Sequence, residues 1–221
     1  MNIFRKNFHK SVSIPEKIRV IDVGDRILPL TEGMNSVDNG ASSYRRFLNG
    51  DESGISEIVT EYKDGLILYL NSFVGNVIVA EELAEDTFVK LFIKRPRDNL
   101  KGSFKTWLYT IGRNVAIDYL RKQSKKSAES LDENSNYLSD KANLESTYIK
   151  EEQKITVHRA LAGLKPEYRQ ILWLIYFEDF TVKEAAAIMK KSIHNTETLL
   201  YRAKKSLRTK LEKEGFVYEE Q

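Results

Sequence analysis

Four carboxylates fall within six residues at Glu81, Glu82, Glu85 and Asp86. Paired carboxylates are the groups that perform general acid–base work or hold a divalent cation. On a helix, however, 81/85 and 82/86 stack as like charges four residues apart. No histidine or metal-loop pattern accompanies them, so the cluster reads as a solvated acidic face or a docking face for a basic partner. The three histidines, His9, His158 and His194, lie far apart, with no ligand partner at helical spacing. The absence of cysteine removes thiol nucleophiles, thiolate metal sites and disulfides together. No Gly-rich phosphate loop, nucleophile elbow or HExxH pattern is present. The expectation is a chain that is not an enzyme and carries no catalytic residue, metal or cofactor.

The polar groups that remain suit binding. In FKTWLYTIGRNVAIDYLRK, Phe104 to Lys122, a helical period places Trp107, Leu108, Ile111, Val115 and Tyr119 within an arc of about 120°. Thr106, Thr110, Arg113, Asn114 and Arg121 share an arc of about 100° on the other side. One face packs; the other offers hydroxyls, an amide and guanidinium groups that bind phosphates and read base edges. Just upstream, Lys101, Ser103, Phe104 and Lys105 form a small basic turn beside aromatics, suited to stacking and hydrogen bonding of an unpaired base.

A second binding pattern lies near the C-terminus. Thr181-Val-Lys-Glu184 is a capping box that opens a helix with Ala185, Ala186 and Ala187, small enough for close packing. Lys190-Lys191 breaks that helix and Ser192 caps the next, which makes a helix-turn-helix pattern. The second helix starts with His194, Asn195, Thr196, Glu197 and Thr198, suited to groove contacts. It continues into Tyr201, Arg202, Lys204, Lys205 and Arg208, suited to phosphates.

The elements that must position these groups are helices. The 221 residues are 41% apolar, enough for a packed core, and carry a net charge of +3. Basic residues concentrate in two blocks. Residues 91–126 hold ten basic against two acidic side chains, a net of +8; residues 181–213 hold nine against three, a net of +6. Two such blocks suit two contacts with a polyanion. No apolar run approaches the ~18 residues of a membrane helix, and no secretory signal opens the chain, so a cytoplasmic protein without membrane insertion is expected. Residues 1–40 read as a weakly structured extension, with a short strand or docked segment over 18–30. Residues 41–122 read as helices with glycine breaks. Residues 123–149, with six serines, read as a flexible linker. Helical periodicity resumes over 150–214, and 215–221 form a tail. The fold class expected is all-α: two small helical domains on a tether.

In order and spacing these segments resemble a bacterial RNA polymerase sigma factor of the extracytoplasmic-function (ECF) type, over roughly 41–122 and 150–213. FLNGDESGISEIVTEYKDGLILYLNSFVG resembles the start of sigma region 2. AEELAEDTFVKLF, residues 80–92, resembles the helix that docks on the β′ coiled coil of core polymerase. The resemblance gives polymerase binding to Glu81, Glu82, Leu83, Glu85 and Asp86, with Phe88 and Leu91 as packing residues. GSFKTWLYTIGRNVAIDYLRK, residues 102–122, resembles the segment that melts and reads the −10 element. Residues 161–207 resemble region 4, whose recognition helix enters the −35 major groove. The implied partners are core polymerase, at its β′ coiled coil and β flap, promoter DNA, and an anti-sigma factor.

The sequence departs from the family pattern at identifiable positions. Val79 stands where an acid is usual and Glu85 where Gln is frequent. Lys190 replaces the common turn glycine, so a residue with a side chain must take an unusual backbone angle. Glu197 replaces a frequent Lys or Arg; it repels phosphate but accepts from cytosine N4. The 27 residues of 123–149 extend to ~90 Å at most, more than the ~70 Å of two DNA turns, so one molecule spans both elements. The competing reading is a stand-alone helix-turn-helix regulator of duplex operators, which needs no acidic 80–92 helix beside a basic aromatic one.

Overall fold

The structure is a computed structural model that describes residues 39–94, 103–129 and 159–213. Residues 1–38 of the extension, its 18–30 strand candidate, Lys101 and the tail lie outside these residues; the extension's last two residues already belong to the first helix. The described residues contain helices and turns and no strand, as the all-α expectation requires.

The first unit comprises α1 (Asn39–Leu48), α2 (Ser53–Val74), α3 (Val77–Lys94) and α4 (Phe104–Glu129). Tyr44 and Phe47 anchor α1 inward, and Ser43 and Arg46 on α1 both bond the Glu57 carboxylate of α2. The α2 helix buries Ile58, Leu66, Ile67, Tyr69 and Leu70 completely. It stops at Gly75, whose φ of 67° is the left-handed conformation that ends helices, its N–H donating to Asn71 O at 2.9 Å. Asn76 then starts α3: its side-chain oxygen accepts from the Ile78 and Val79 N–H groups at 3.0 and 3.2 Å. Ser103 performs the same service for α4 through the Thr106 N–H at 3.2 Å.

The α4 helix continues past residue 122 to Glu129, so the expected linker begins as helix. Its extra turns are rich in good helix formers, and Gln123 bonds the Tyr119 hydroxyl at 2.8 Å. Residues 130–149 of the linker lie outside the described residues.

The second unit comprises a helical turn over 159–162, α5 (Pro166–Tyr176), α6 (Val182–Met189) and α7 (Ile193–Lys213). Pro166 opens α5, where its missing N–H costs nothing. Five consecutive residues of α5, Gln170 to Leu174, are buried, because α7 covers one side and α2 of the first unit the other. The capping box at the start of α6 forms in both directions: Thr181 Oγ1 accepts from the Glu184 N–H at 3.2 Å, and the Glu184 carboxylate accepts from the Thr181 N–H at 3.0 Å. At the other end Lys190 takes φ 54°, and its N–H bonds the Ala187 carbonyl. Ser192 caps α7 through the Asn195 N–H at 3.2 Å. These helices make the expected helix-turn-helix.

A left-handed backbone costs a residue with a Cβ about 1 kcal/mol or more. Lys190 is exposed, so nothing in the fold needs its side chain there. Replacing Lys190→Gly is expected to stabilise the second unit by about 1 kcal/mol, read as a higher urea midpoint with an unchanged slope.

Candidate nucleic-acid interface

Three surfaces carry the residues singled out above. The first is the start of α4. Phe104, expected to stack on a base, is fully buried, ringed by Tyr44 and Tyr62 at 5.6 Å each and by Trp107 at 5.9 Å. It is a core residue in this conformation, and Trp107 is half-buried beside it. The buried arc of α4 is turned toward Tyr109 and Ala116, leaving Trp107, Ile111 and Tyr119 on its flank. Thr106, assigned to the polar face, is buried as well, under α6. Arg113 and Asn114 are half-buried, Thr110 donates to Thr106 O at 2.8 Å, and Lys122 is exposed. Arg121 is exposed with a 3.4 Å contact to Asp118, an ion pair of little energetic weight there. The Nε of Arg113 is buried with no hydrogen-bond partner. Its charge faces Tyr69, whose hydroxyl is pushed up by burial and pulled back in part by this guanidinium.

The second surface is the first half of α7. His194, Asn195, Glu197, Tyr201, Arg202 and Lys205 are exposed, and Thr198 and Lys204 are half-buried. Most of them lie within an arc of about 140° opposite the buried Leu199, Leu200 and Ala203. Tyr201 is 69% exposed. Thr196 is the exception to the expected groove set. It is fully buried, and its hydroxyl returns to Ser192 O at 2.9 Å.

The third surface is α3. Leu83, grouped with the acids as a binding residue, is buried in the core instead, as are the packing residues Phe88 and Leu91. Glu82, Glu85 and Asp86 are exposed and Glu81 is half-exposed. On either side of the acids along the helix, Ile78, Val89 and Ile93 are exposed at 64%, 38% and 76%. With Glu82 and Glu85 they occupy an arc of about 80°, an acidic centre with apolar ends. The spacing 78, 82, 85, 89, 93 is readable in the sequence, but attention to the charges hides it. Among the described residues no group of His, Cys, Asp and Glu could hold a metal ion, and no helix is long and apolar enough to cross a membrane.

The start of α4 also meets the second unit. Glu184 Oε1 lies 3.2 Å from Thr106 Oγ1 and 3.3 Å from Ser103 Oγ. Desolvation raises the Glu184 carboxyl, but hydrogen bonds from Thr181, Thr106 and Ser103 outweigh it and hold the group below its usual value. Lys105 Nζ pairs with Glu178 Oε2 at 3.0 Å and donates to the Glu178 carbonyl at 2.7 Å. Tyr109 packs edge-on to Phe180 at 5.0 Å, and its hydroxyl is pushed well up by burial and the neighbouring Glu178 carboxylate.

Comparison with known proteins agrees with this layout. The Sigma-70 region 2 family model matches residues 58–126, and the Sigma-70 region 4 model matches 154–207. SigW, an ECF RNA polymerase sigma factor of Bacillus subtilis, is 26% identical over 170 residues, 73% of this chain and 91% of SigW. The RNA polymerase sigma factor SigV of the same organism is 31% identical over 156 residues, 71% of this chain and 90% of SigV. In fold, the chain is similar to the sigma factor RpoE of Bartonella quintana, solved with the anti-sigma factor NepR. The TM-score is 0.56 at 22% identity, covering 71% of this chain and 96% of that one. Regions 2 and 4, in that order on one chain and folded as these helices, place the protein in the ECF family of RNA polymerase sigma factors.

Proposed function

We propose that this sigma factor divides its work among the three surfaces. The outer face of α3 docks on core polymerase, the 101–122 segment captures the −10 element, and residues 192–208 read the −35 element. The two working units correspond to residues 41–122 and 150–214, the helices of the first reaching out to residues 39 and 129, and the protein acts in the cytoplasm. Bond making stays with the polymerase. An anti-sigma protein is a further partner by similarity to RpoE.

The observation that carries this reading is the pairing, on one chain, of an exposed helix-turn-helix face with an exposed acidic–apolar helix. A stand-alone operator-binding regulator would use the first and has no need of the second. Ile78, Val89 and Ile93 supply apolar anchors, while Glu82, Glu85 and Asp86 select a basic partner and speed its encounter. On α4, Arg113 and Asn114 combine a cation for a displaced backbone with an amide for a base edge. On α7, His194, Asn195 and Glu197 stand at the end of the recognition helix that enters a groove, with Tyr201, Arg202 and Lys205 behind them for the backbone.

Each surface has its own test. The double substitution Ile78→Ser and Val89→Ser removes exposed apolar groups only. It is expected to weaken binding to sigma-free bacterial core polymerase at least tenfold in a pull-down titration, with thermal stability unchanged. Arg113→Ala with Asn114→Ala is expected to leave that binding intact and abolish permanganate reactivity at −10; undiminished reactivity would move the melting residues elsewhere. His194→Ala or Asn195→Ala is expected to change the ranking of −35 sequences in a competition assay by 1–3 kcal/mol per position, or about 5- to 150-fold. An unaltered ranking would remove α7's first turn from the readout.

A further inference from the structure

The two units touch at the start of the segment assigned above to −10 DNA, and there the second unit's hydrogen-bonding side chains, Glu178 and Glu184, are acidic. We propose that this contact is an autoinhibitory lock, in which Glu178 and Glu184 occupy the phosphate- and base-binding groups at the start of α4. The inference rests on the −10 assignment of the preceding section.

The geometry is that of substitution. Ser103, Lys105 and Thr106 are a basic group flanked by two hydroxyls, a set that would hold a phosphate and its neighbour. In the closed chain Glu184 takes both hydroxyls and Glu178 takes the ammonium group through its carboxylate and its carbonyl. The Lys105 ammonium also lies 4.9 Å from the Phe180 ring centre. An oxygen of the second unit thus lies within hydrogen-bond distance of each of the three side chains, and the two hydroxyls also meet each other at 2.9 Å. Glu184 is already engaged by its own helix cap, so its contacts with α4 are additional to those the cap requires.

The seat for Glu178 is shaped by Gly65 on α2. A Cβ at residue 65 would lie 2.5 Å from Glu178 Oε1 and 2.7 Å from the Tyr109 hydroxyl. Across the same boundary Arg169 Nε donates to Ser72 O at 3.2 Å. The occlusion is selective. Ile78, Val89 and Ile93 on α3 and His194, Asn195 and Tyr201 on α7 remain exposed. Polymerase and duplex −35 DNA therefore find their surfaces open, while the start of the −10 segment is covered.

The lock is built to open. A half-buried ion pair such as Lys105–Glu178 returns little net stability after desolvation and screening, and polar contacts between domains of one chain are of the transient kind. The 29 residues from 130 to 158 span at most ~100 Å, enough to let the units part. A ligand that binds only the open form draws the equilibrium to it, and its apparent affinity is reduced by the fraction open.

The absence of cysteine makes the test direct. In the full chain, Ser42→Cys and Thr209→Cys place one spin label on an exposed site of each unit. Pulsed dipolar spectroscopy is expected to give one narrow distance distribution. Adding Glu178→Lys, which repels Lys105, or Gly65→Ala, which fills the seat, is expected to give a broad and longer one. A distribution already broad without these changes, or unmoved by Glu178→Lys, overturns the lock. In parallel, anisotropy of a fluorescein-labelled 20-nucleotide single strand of mixed sequence at low salt is expected to show binding about tenfold tighter for both opening variants, as for a chain about 10% open. Separation without tighter binding also overturns the lock as an inhibitor. Adding Arg113→Ala and Asn114→Ala to the Glu178→Lys chain separates the two claims. If the gain persists, the lock stands and the −10 assignment of those two residues fails; if it disappears, both stand.

Discussion

The α2 helix carries apolar and aromatic side chains around most of its circumference, and the rest of the architecture follows from covering them. Ile58, Leu66, Ile67, Tyr69 and Leu70 have no exposed surface at all, and α1, α3, α4 and α5 all pack against this one helix. Burial of each such side chain stabilises the fold by about 1.5–3 kcal/mol relative to exposure. The first three of those neighbours belong to the same unit. The fourth does not, and it is this side that brings the helix-turn-helix against the −10 segment.

That arrangement links local chemistry to function. Capping groups do double service. Ser103 starts α4 and also meets Glu184; Glu184 closes the α6 capping box and also holds Thr106. Helix starts leave polar groups at the surface because the first N–H groups have no partners within the helix. The same positions therefore serve as binding sites, for another part of the chain in one state and for nucleic acid in another. The α3 helix shows the simpler case. Its inner side is fully committed to the core through Leu83, Phe88 and Leu91, and its outer side is free to carry acids framed by apolar ends.

Most of the helical layout is legible in the sequence, and the reasons are local. The Thr181–Glu184 capping box, the Ser192 cap and the strained turn at Lys190 depend on neighbours within a few residues, and the structure forms all three. The positions misread depend on contacts distant in sequence. Phe104 looks like a stacking residue beside lysines, yet Tyr44, Tyr62 and Trp107 close around it. Thr106 falls on the polar side of α4 by periodicity but is covered by a residue 78 positions away. Thr196 lies among groove-facing residues by order, but it is fully buried and its hydroxyl is satisfied by the Ser192 carbonyl at the start of its own helix. The boundary at residue 122 fails for a different reason: a serine- and lysine-rich composition excludes a core but does not exclude a few more turns of solvated helix.

The central claim is that one chain directs core polymerase to promoters with two upstream elements. Reconstituted transcription with sigma-free bacterial core on a genomic promoter library, followed by sequencing of transcript starts, tests it most directly. The account predicts starts that share a −10 and a −35 motif at fixed spacing and vanish when this protein is omitted. Binding to core with no such starts, either for the wild type or for Glu178→Lys, would contradict it.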